Sequence, residues 1–134
     1  MSEAALWAAT RKHLRRADLM RVENVVCPGT PDVNGCWRGV EFWIELKKVP
    51  RPRRESTPVR LPHFTPQQRA WIKGRGRRAF VLLQVGRAYF LHGPEDVDAL
   101  GGLTYDEHWQ RARLAWSQKE KHRWQEVLKH LTTT

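Results

Sequence analysis

Cysteine is nearly absent from this chain: two among 134 residues, Cys27 and Cys36. Two are too few for a disulfide framework, and with His63 their spacing matches no common zinc module, so buried free thiols are expected. Long apolar runs are missing as well. None approaches the ~18 residues of a membrane span. The start, Met1-Ser2-Glu3-Ala4-Ala5-Leu6-Trp7, lacks the basic residues and apolar stretch of a signal peptide. Acids are the third scarcity, with 14 Asp and Glu against 24 Lys and Arg for a formal charge of +10. These absences exclude a disulfide-stapled secreted scaffold and a membrane-spanning helix, and they predict a cytoplasmic domain. An apolar content of 40% with seven Trp argues against disorder. With no internal repeat, residues 1–134 read as one domain, long enough to bury a core unaided.

The excess charge is concentrated. Between Lys48 and Arg78 lie ten basic residues, Lys48, Arg51, Arg53, Arg54, Arg60, Arg69, Lys73, Arg75, Arg77 and Arg78, and a single acid, Glu55. A second cluster holds Arg11, Lys12, Arg15, Arg16 and Arg21 beside Asp18. The rest of the chain is slightly acidic. Charge gathered this way is the footprint of a protein that meets a phosphate backbone, so DNA is the expected partner.

Periodicity places these residues on elements. Residues 3–17 predict a helix, from Leu6, Ala9, His13 and Ala17 at helical spacing. Val22 to Val26 predicts a short strand, and Cys27-Pro28-Gly29-Thr30-Pro31 an extended link or turn. Asp32 opens another short strand, with Asn34-Gly35 as a hairpin signal. Val40 to Lys47 is the clearest strand, with Val40, Phe42, Ile44 and Leu46 on one face and Glu41, Trp43, Glu45 and Lys47 on the other. Residues 48–62 hold four prolines among four arginines and predict a long basic loop, mobile without DNA. Thr65-Pro66-Gln67-Gln68 opens a helix with a capping box. Ala79 to Val85 and Ala88 to His92 predict a tight hairpin about Gly86-Arg87. A second capping box at Thr104 opens a long helix toward Leu131, with a stripe of Trp109, Trp116 and Trp124. The expected fold is α/β (α+β): a mixed central sheet flanked by helices, in the order α-β-β-β-α-β-β-α.

One constellation carries chemistry. Glu45 and Lys47, two apart on a strand, project from the same face, and the preceding hairpin can bring Asp32 beside them. Two converging carboxylates make a hard oxygen site suited to Mg2+ or Mn2+. An ammonium next to them stabilises charge developing on a phosphate, or positions a water.

Pro31, Asp32, Glu45, Leu46 and Lys47 together resemble the signature of the PD-(D/E)XK nuclease superfamily. Gly29-Thr30-Pro31-Asp32 followed by Ile44 to Lys47, a basic loop, a helix opening with Gln67 or Gln68 and an apolar strand is similar to its VRR-NUC and Holliday-junction-resolvase branches. The resemblance covers residues 3–92 and leaves 95–131 as a C-terminal helical extension. It implies a restriction-endonuclease-like fold and a Mg2+- or Mn2+-dependent endodeoxyribonuclease acting on branched DNA, a Holliday junction or a flap. It implies that Asp32, Glu45 and the Leu46 carbonyl hold the metal, that Lys47 orients or activates water, and that Gln68 joins the catalytic pocket. Relatives carry a further acid on the first helix, for which the candidates here are Glu3 and Glu23. A stand-alone, phage-type nuclease working in host cytoplasm as a homodimer fits this reading. The competing readings are a catalytically inert nucleic-acid-binding protein on the same fold, and a replication- or restriction-associated nuclease directed by a partner.

Overall fold

A computed structural model describes residues 3–23 and 28–133. Its helices are α1 (Ala4–His13), α2 (Pro66–Arg75), α3 (Tyr105–Arg111) and α4 (Val127–Thr132). Its strands are β1 (Asp18–Arg21), β2 (Val33–Trp37), β3 (Val40–Val49), β4 (Ala79–Val85), β5 (Ala88–His92) and β6 (Leu114–Ser117). Short 3₁₀ turns occupy Gly76–Arg78, Pro94–Asp96 and Lys121–Glu126. The six strands lie in the sheet in the order of the sequence. Every neighbouring pair is antiparallel except β3 and β4, which run parallel because α2 carries the chain across. This is the mixed sheet flanked by helices that the sequence implies.

Both faces of the sheet are covered. The even residues of β3, Phe42, Ile44 and Leu46, are fully buried with Phe80, Leu82, Leu91 and Trp116 under Leu6 of α1, Leu14 just beyond its end, and Val127 and Leu131 of α4. On the other face, Val81, Leu83 and Phe90 pack with Ile72 of α2 and with Val59, Leu61 and Phe64. Each such side chain contributes about 1.5–3 kcal/mol by leaving water. Glu45 and Lys47 therefore project into a covered face.

Several expectations are corrected. Asn34-Gly35 does not turn; it lies inside β2, and the hairpin closes at Arg38-Gly39, where both residues take positive φ (52° and 80°). Gly35 is needed for packing instead, because a Cβ there would sit 2.3 Å from the Phe42 ring. The first strand is Asp18–Arg21, earlier than Val22 to Val26, of which residues 24–26 lie outside the described residues. Helix α1 ends at His13, short of residue 17. The long C-terminal helix is broken: Ala112 is extended, and Leu114 and Trp116 alternate inward on β6, which pairs with the edge of β5. The order therefore gains a strand and a helix, and residues 95–131 are not a helical extension but close the sheet.

The Trp stripe is consumed by that closure. Trp116 stacks on Tyr89 at 5.3 Å and meets Trp124 edge-on at 5.0 Å. Only Trp109 of the three stays partly exposed. Trp116 and Trp124 are thus covered within the chain. Residues 48–62 are anchored too, since the Val59 N–H donates to the Leu103 carbonyl at 2.7 Å. Cys36 is a free, exposed thiol, not a buried one, and Cys27 lies outside the described residues. Among the described residues no helix is long and apolar enough to cross a membrane.

Candidate active site

Strand β2 begins only at Val33, opposite Ile44, while β3 continues to Val49. The β2-side edge of β3 therefore has no strand neighbour beyond Ile44. Asp32 fills the gap: its Oδ2 accepts the Leu46 N–H at 2.8 Å. The N–H and C=O of one strand residue leave on the same edge, so the Leu46 carbonyl also emerges beside Asp32. The chain reaches this point through a turn that abuts α2. Gly29 has φ +93°, and a Cβ on it would lie 2.5 Å from the Gln67 carbonyl oxygen, so glycine is required twice over.

Glu45 and Lys47 stand on the same side of β3, both buried, with Lys47 Nζ 3.3 Å from Glu45 Oε2. Lys47 Nζ also donates to the His63 carbonyl at 3.0 Å and lies 5.8 Å from the Phe64 ring centre. The second oxygen of Glu45, Oε1, is buried without a hydrogen-bond partner. Burial, and then the neighbouring Asp32 carboxylate, push the Glu45 carboxyl up to about 8, against the opposing pull of Lys47. The region is a buried pocket of two carboxyl groups and one ammonium, and without an ion the Glu45 carboxyl keeps its proton at neutral pH. An oxygen ligand left unpartnered at such cost is what a cation would satisfy.

The remaining candidates are distributed differently. Gln68 is engaged at the start of α2: its Oε1 accepts the Thr65 N–H at 3.0 Å, and its own N–H donates to Thr65 Oγ1. That capping box engages its amide oxygen with the Thr65 backbone. Glu3 precedes α1, Glu23 is exposed, and among the described residues no group of three or more His, Cys, Asp or Glu gathers as a metal cluster. Helix α1, which follows Glu3, packs on the face opposite Glu45, whereas Glu23 follows Val22, whose N–H donates to the Asp32 carbonyl at 2.7 Å.

The basic residues split by whether the chain uses them. Arg69 donates to the carbonyls of Val97 and Leu100 and lies over Phe64. Arg60 donates to the Gly101 carbonyl, Lys73 pairs with Asp98, and Arg75 stacks on Trp71. Arg51 lies 3.8 Å from the centre of the Tyr105 ring. Arg53 and Arg54 are exposed, and no carboxylate among the described residues pairs with them. Arg11 and Arg15 are exposed at α1, away from the acid pocket.

Two contacts had no clear signal in the sequence. Arg21 approaches Asp32 Oδ1 at 3.9 Å because β1 pairs with β2, placing Arg21 opposite Val33. The His63 carbonyl that holds Lys47 belongs to the loop, and nothing in a Pro-rich tract specifies such a contact.

No family model and no curated protein matches the chain. Among solved structures it is similar to Hjc, a Holliday junction resolvase from the archaeal hyperthermophile Archaeoglobus fulgidus. The identity is 24%, covering 69% of this chain and 70% of that one, with a TM-score of 0.40.

Proposed function

We propose that this chain is a metal-dependent DNA endonuclease that hydrolyses phosphodiester bonds, selective for branched DNA such as a Holliday junction or a flap. The observation that carries it is the unpartnered, buried Oε1 of Glu45 beside the Asp32 carboxylate and the Lys47 ammonium. Asp32, Glu45 and the Leu46 carbonyl would hold Mg2+ or Mn2+, a donor set of hard oxygens that suits ions which keep several waters. When bound, the ion neutralises the carboxylates, polarises the phosphate and acidifies a coordinated water.

The chain's own groups do the rest. The Leu46 N–H fixes the Asp32 carboxylate, so one ligand is oriented before anything binds. The His63 carbonyl and Phe64 hold the Lys47 ammonium near the acids, where it can steady a non-bridging phosphate oxygen or align the attacking water. Arg53 and Arg54, unpaired within the described residues, are available for backbone phosphates. No base-reading module is legible in the chain, which favours selection by DNA shape. The ordered set from Gly29 to Asp32 and Ile44 to Lys47 on neighbouring strands supports assignment to the PD-(D/E)XK superfamily, near its VRR-NUC and resolvase branches and of the phage type. Paired nicks across a four-way junction would take two copies, since the described residues of each chain form one such pocket; sedimentation on junction DNA reads that directly.

The decisive test is cleavage of labelled junction, flap, single-stranded and duplex DNA, with and without Mn2+. Cutting of junction or flap that needs the ion and disappears in Asp32→Asn is the expected result. Wild-type cutting by a folded Asp32→Asn variant would remove the assignment.

A further inference from the structure

The acid pocket is not the only place where this chain gathers polar groups around a hollow. A crevice of about 310 Å³ opens between the end of α1, the end of β2 and the Lys121–Glu126 turn, lined by His13, Arg15, Arg16, Trp37, Trp124 and Gln125, with Leu128 at its base. A hollow of about 280 Å³ shares four of those residues and adds Lys12 and Lys121. No carboxylate lines either. Of the acids near in sequence, Glu126 pairs with Arg123 at 3.2 Å and Glu120 accepts the Ser117 N–H at 3.1 Å, while Asp18 is exposed on β1 opposite Cys36 and does not line either hollow. Burial, then Lys12, then Lys121 lower the pKa of His13, so cations from two separate elements converge on an imidazole that they help keep neutral. Positive charge gathered without internal compensation is poised for an anion.

We propose that this crevice is a second phosphate-backbone site, which grips an arm of the DNA other than the arm held at Asp32, Glu45 and Lys47. The inference rests on the nucleic-acid reading above and adds a separate surface to it. Two positional facts separate the sites. Helices α1 and α4 cover the sheet face lined by Phe42, Ile44 and Leu46, whereas Glu45 and Lys47 project from the opposite face. Trp37 pairs with Val40 at the hairpin end of β3, and Glu45 and Lys47 lie five and seven residues further along. At strand rise that is about 17–24 Å. A straight duplex on one face does not reach round to the other. The occupant is therefore a second arm.

The mode of contact follows from how the rings are used. His13 stacks on Trp124 at 4.9 Å, and Trp116 and Tyr89 meet the same indole edge-on. Trp37 already carries the Arg38 guanidinium at 4.4 Å. With these ring faces occupied, base stacking gives way to contacts between Arg15, Arg16 and Lys121 and phosphate oxygens, independent of sequence.

The test reads binding in metal-free buffer with wild type and the triple variant Arg15→Ala, Arg16→Ala, Lys121→Ala. Its probes are a four-way junction and a duplex of about one helical turn, a straight rod that can lie on only one face of the sheet at a time. Wild type should take up two short duplexes per chain and the variant one. The variant's salt slope on the junction should fall by about 2–3 units. A drop in slope with one duplex per chain in both proteins would place these cations on the same arm as the acid pocket and overturn the proposal. Two duplexes per chain and an unchanged slope in the variant would overturn it as well. Should the triple variant misfold, the double variant Lys12→Gln, Lys121→Gln serves, with an expected slope loss of about 1–2 units. Because no cleavage is read, failure of the nuclease assignment and failure of this one remain distinguishable.

Discussion

Two buried polar clusters sit on this sheet, and they are resolved in opposite ways. On β5 and its neighbours, Asp96 Oδ2 meets His92 Nδ1 at 2.8 Å, and His92 Nε2 meets His108 Nδ1 at 2.8 Å. Arg111 completes the chain by donating to Asp96 Oδ1 at 3.1 Å. One negative charge is matched by one positive, and the imidazoles between them are kept neutral, His108 being lowered to about 4 chiefly by burial. Its Nε2 is the one loose end. The pocket of Asp32, Glu45 and Lys47 has two carboxyl groups for one buried ammonium, with Arg21 no nearer to Asp32 than 3.9 Å, and it leaves Glu45 Oε1 bare. Both clusters are buried and close-set, so burial alone does not mark a site of chemistry. The difference lies in the charge balance: a closed relay ties α3 to β5, whereas an open one invites an ion.

The contrast can be broken at its open end first. Asp32→Asn or Glu45→Gln should lower metal-dependent cleavage by at least about 10³-fold, since ion-mediated stabilisation is worth several kcal/mol. Binding of DNA without metal should persist in both variants and improve in Asp32→Asn, which removes a negative charge near phosphate; a gel-shift series in chelator reads this. Lys47→Ala should lower the rate more than the affinity for the ion, because an ammonium is not a ligand, and a metal titration of single-turnover rates separates the two.

The closed cluster should respond to pH instead. Folded His108 holds its proton less tightly than the free imidazole, ordinarily near 6.5. The unfolded chain therefore gains protons first as pH falls. Stability should be full above pH 6.5 and decline toward pH 4, by about 3 kcal/mol in all. His108→Phe should flatten that decline between pH 7 and 5 in urea midpoints, while costing about 1–3 kcal/mol at pH 7 because His92 Nε2 loses its partner. The same rule of partnered against unpartnered groups extends to the arginines. Arg51→Ala, Arg53→Ala and Arg54→Ala together should lower the salt slope of DNA binding by about two units, not three, because Arg51 is already held by Tyr105. Smallest of all, Gln68→Ala should cost about 1 kcal/mol of stability through the lost cap and leave cleavage unaltered. A loss of turnover in that variant would put Gln68 back among the catalytic groups.

What could be read from the sequence was whatever local periodicity dictates. The alternation through β3 placed Phe42, Ile44 and Leu46 on one face and Glu45 and Lys47 on the other, and the Thr65 and Thr104 capping boxes started α2 and α3 where they stand. Readings failed where tertiary pairing outvoted local signals. Asn34-Gly35 has strong turn chemistry, yet the pairing of β2 with both its neighbours runs straight through it. Trp109, Trp116 and Trp124 fit a helical stripe, yet the open edge of β5 drew Leu114–Ser117 into a strand. The His92, Asp96 and His108 relay escaped notice because its members come from a strand, a 3₁₀ turn and a helix at unrelated spacings.

A sheet whose strands follow one another in sequence order has a consequence for how the chain is made. Each strand finds its partner in the strand synthesised just before it, and only the passages from β3 to β4 and from β5 to β6 must wait for a helix. Contacts of that kind close short loops and form early, so the sheet can extend one strand at a time as the chain leaves the ribosome. The last strand to arrive, β6, covers the edge of β5. Until Leu114–Ser117 has emerged, the nascent protein presents the backbone of Ala88–His92 to any other chain, so a ribosome stalled at that stage would leave a product primed to aggregate.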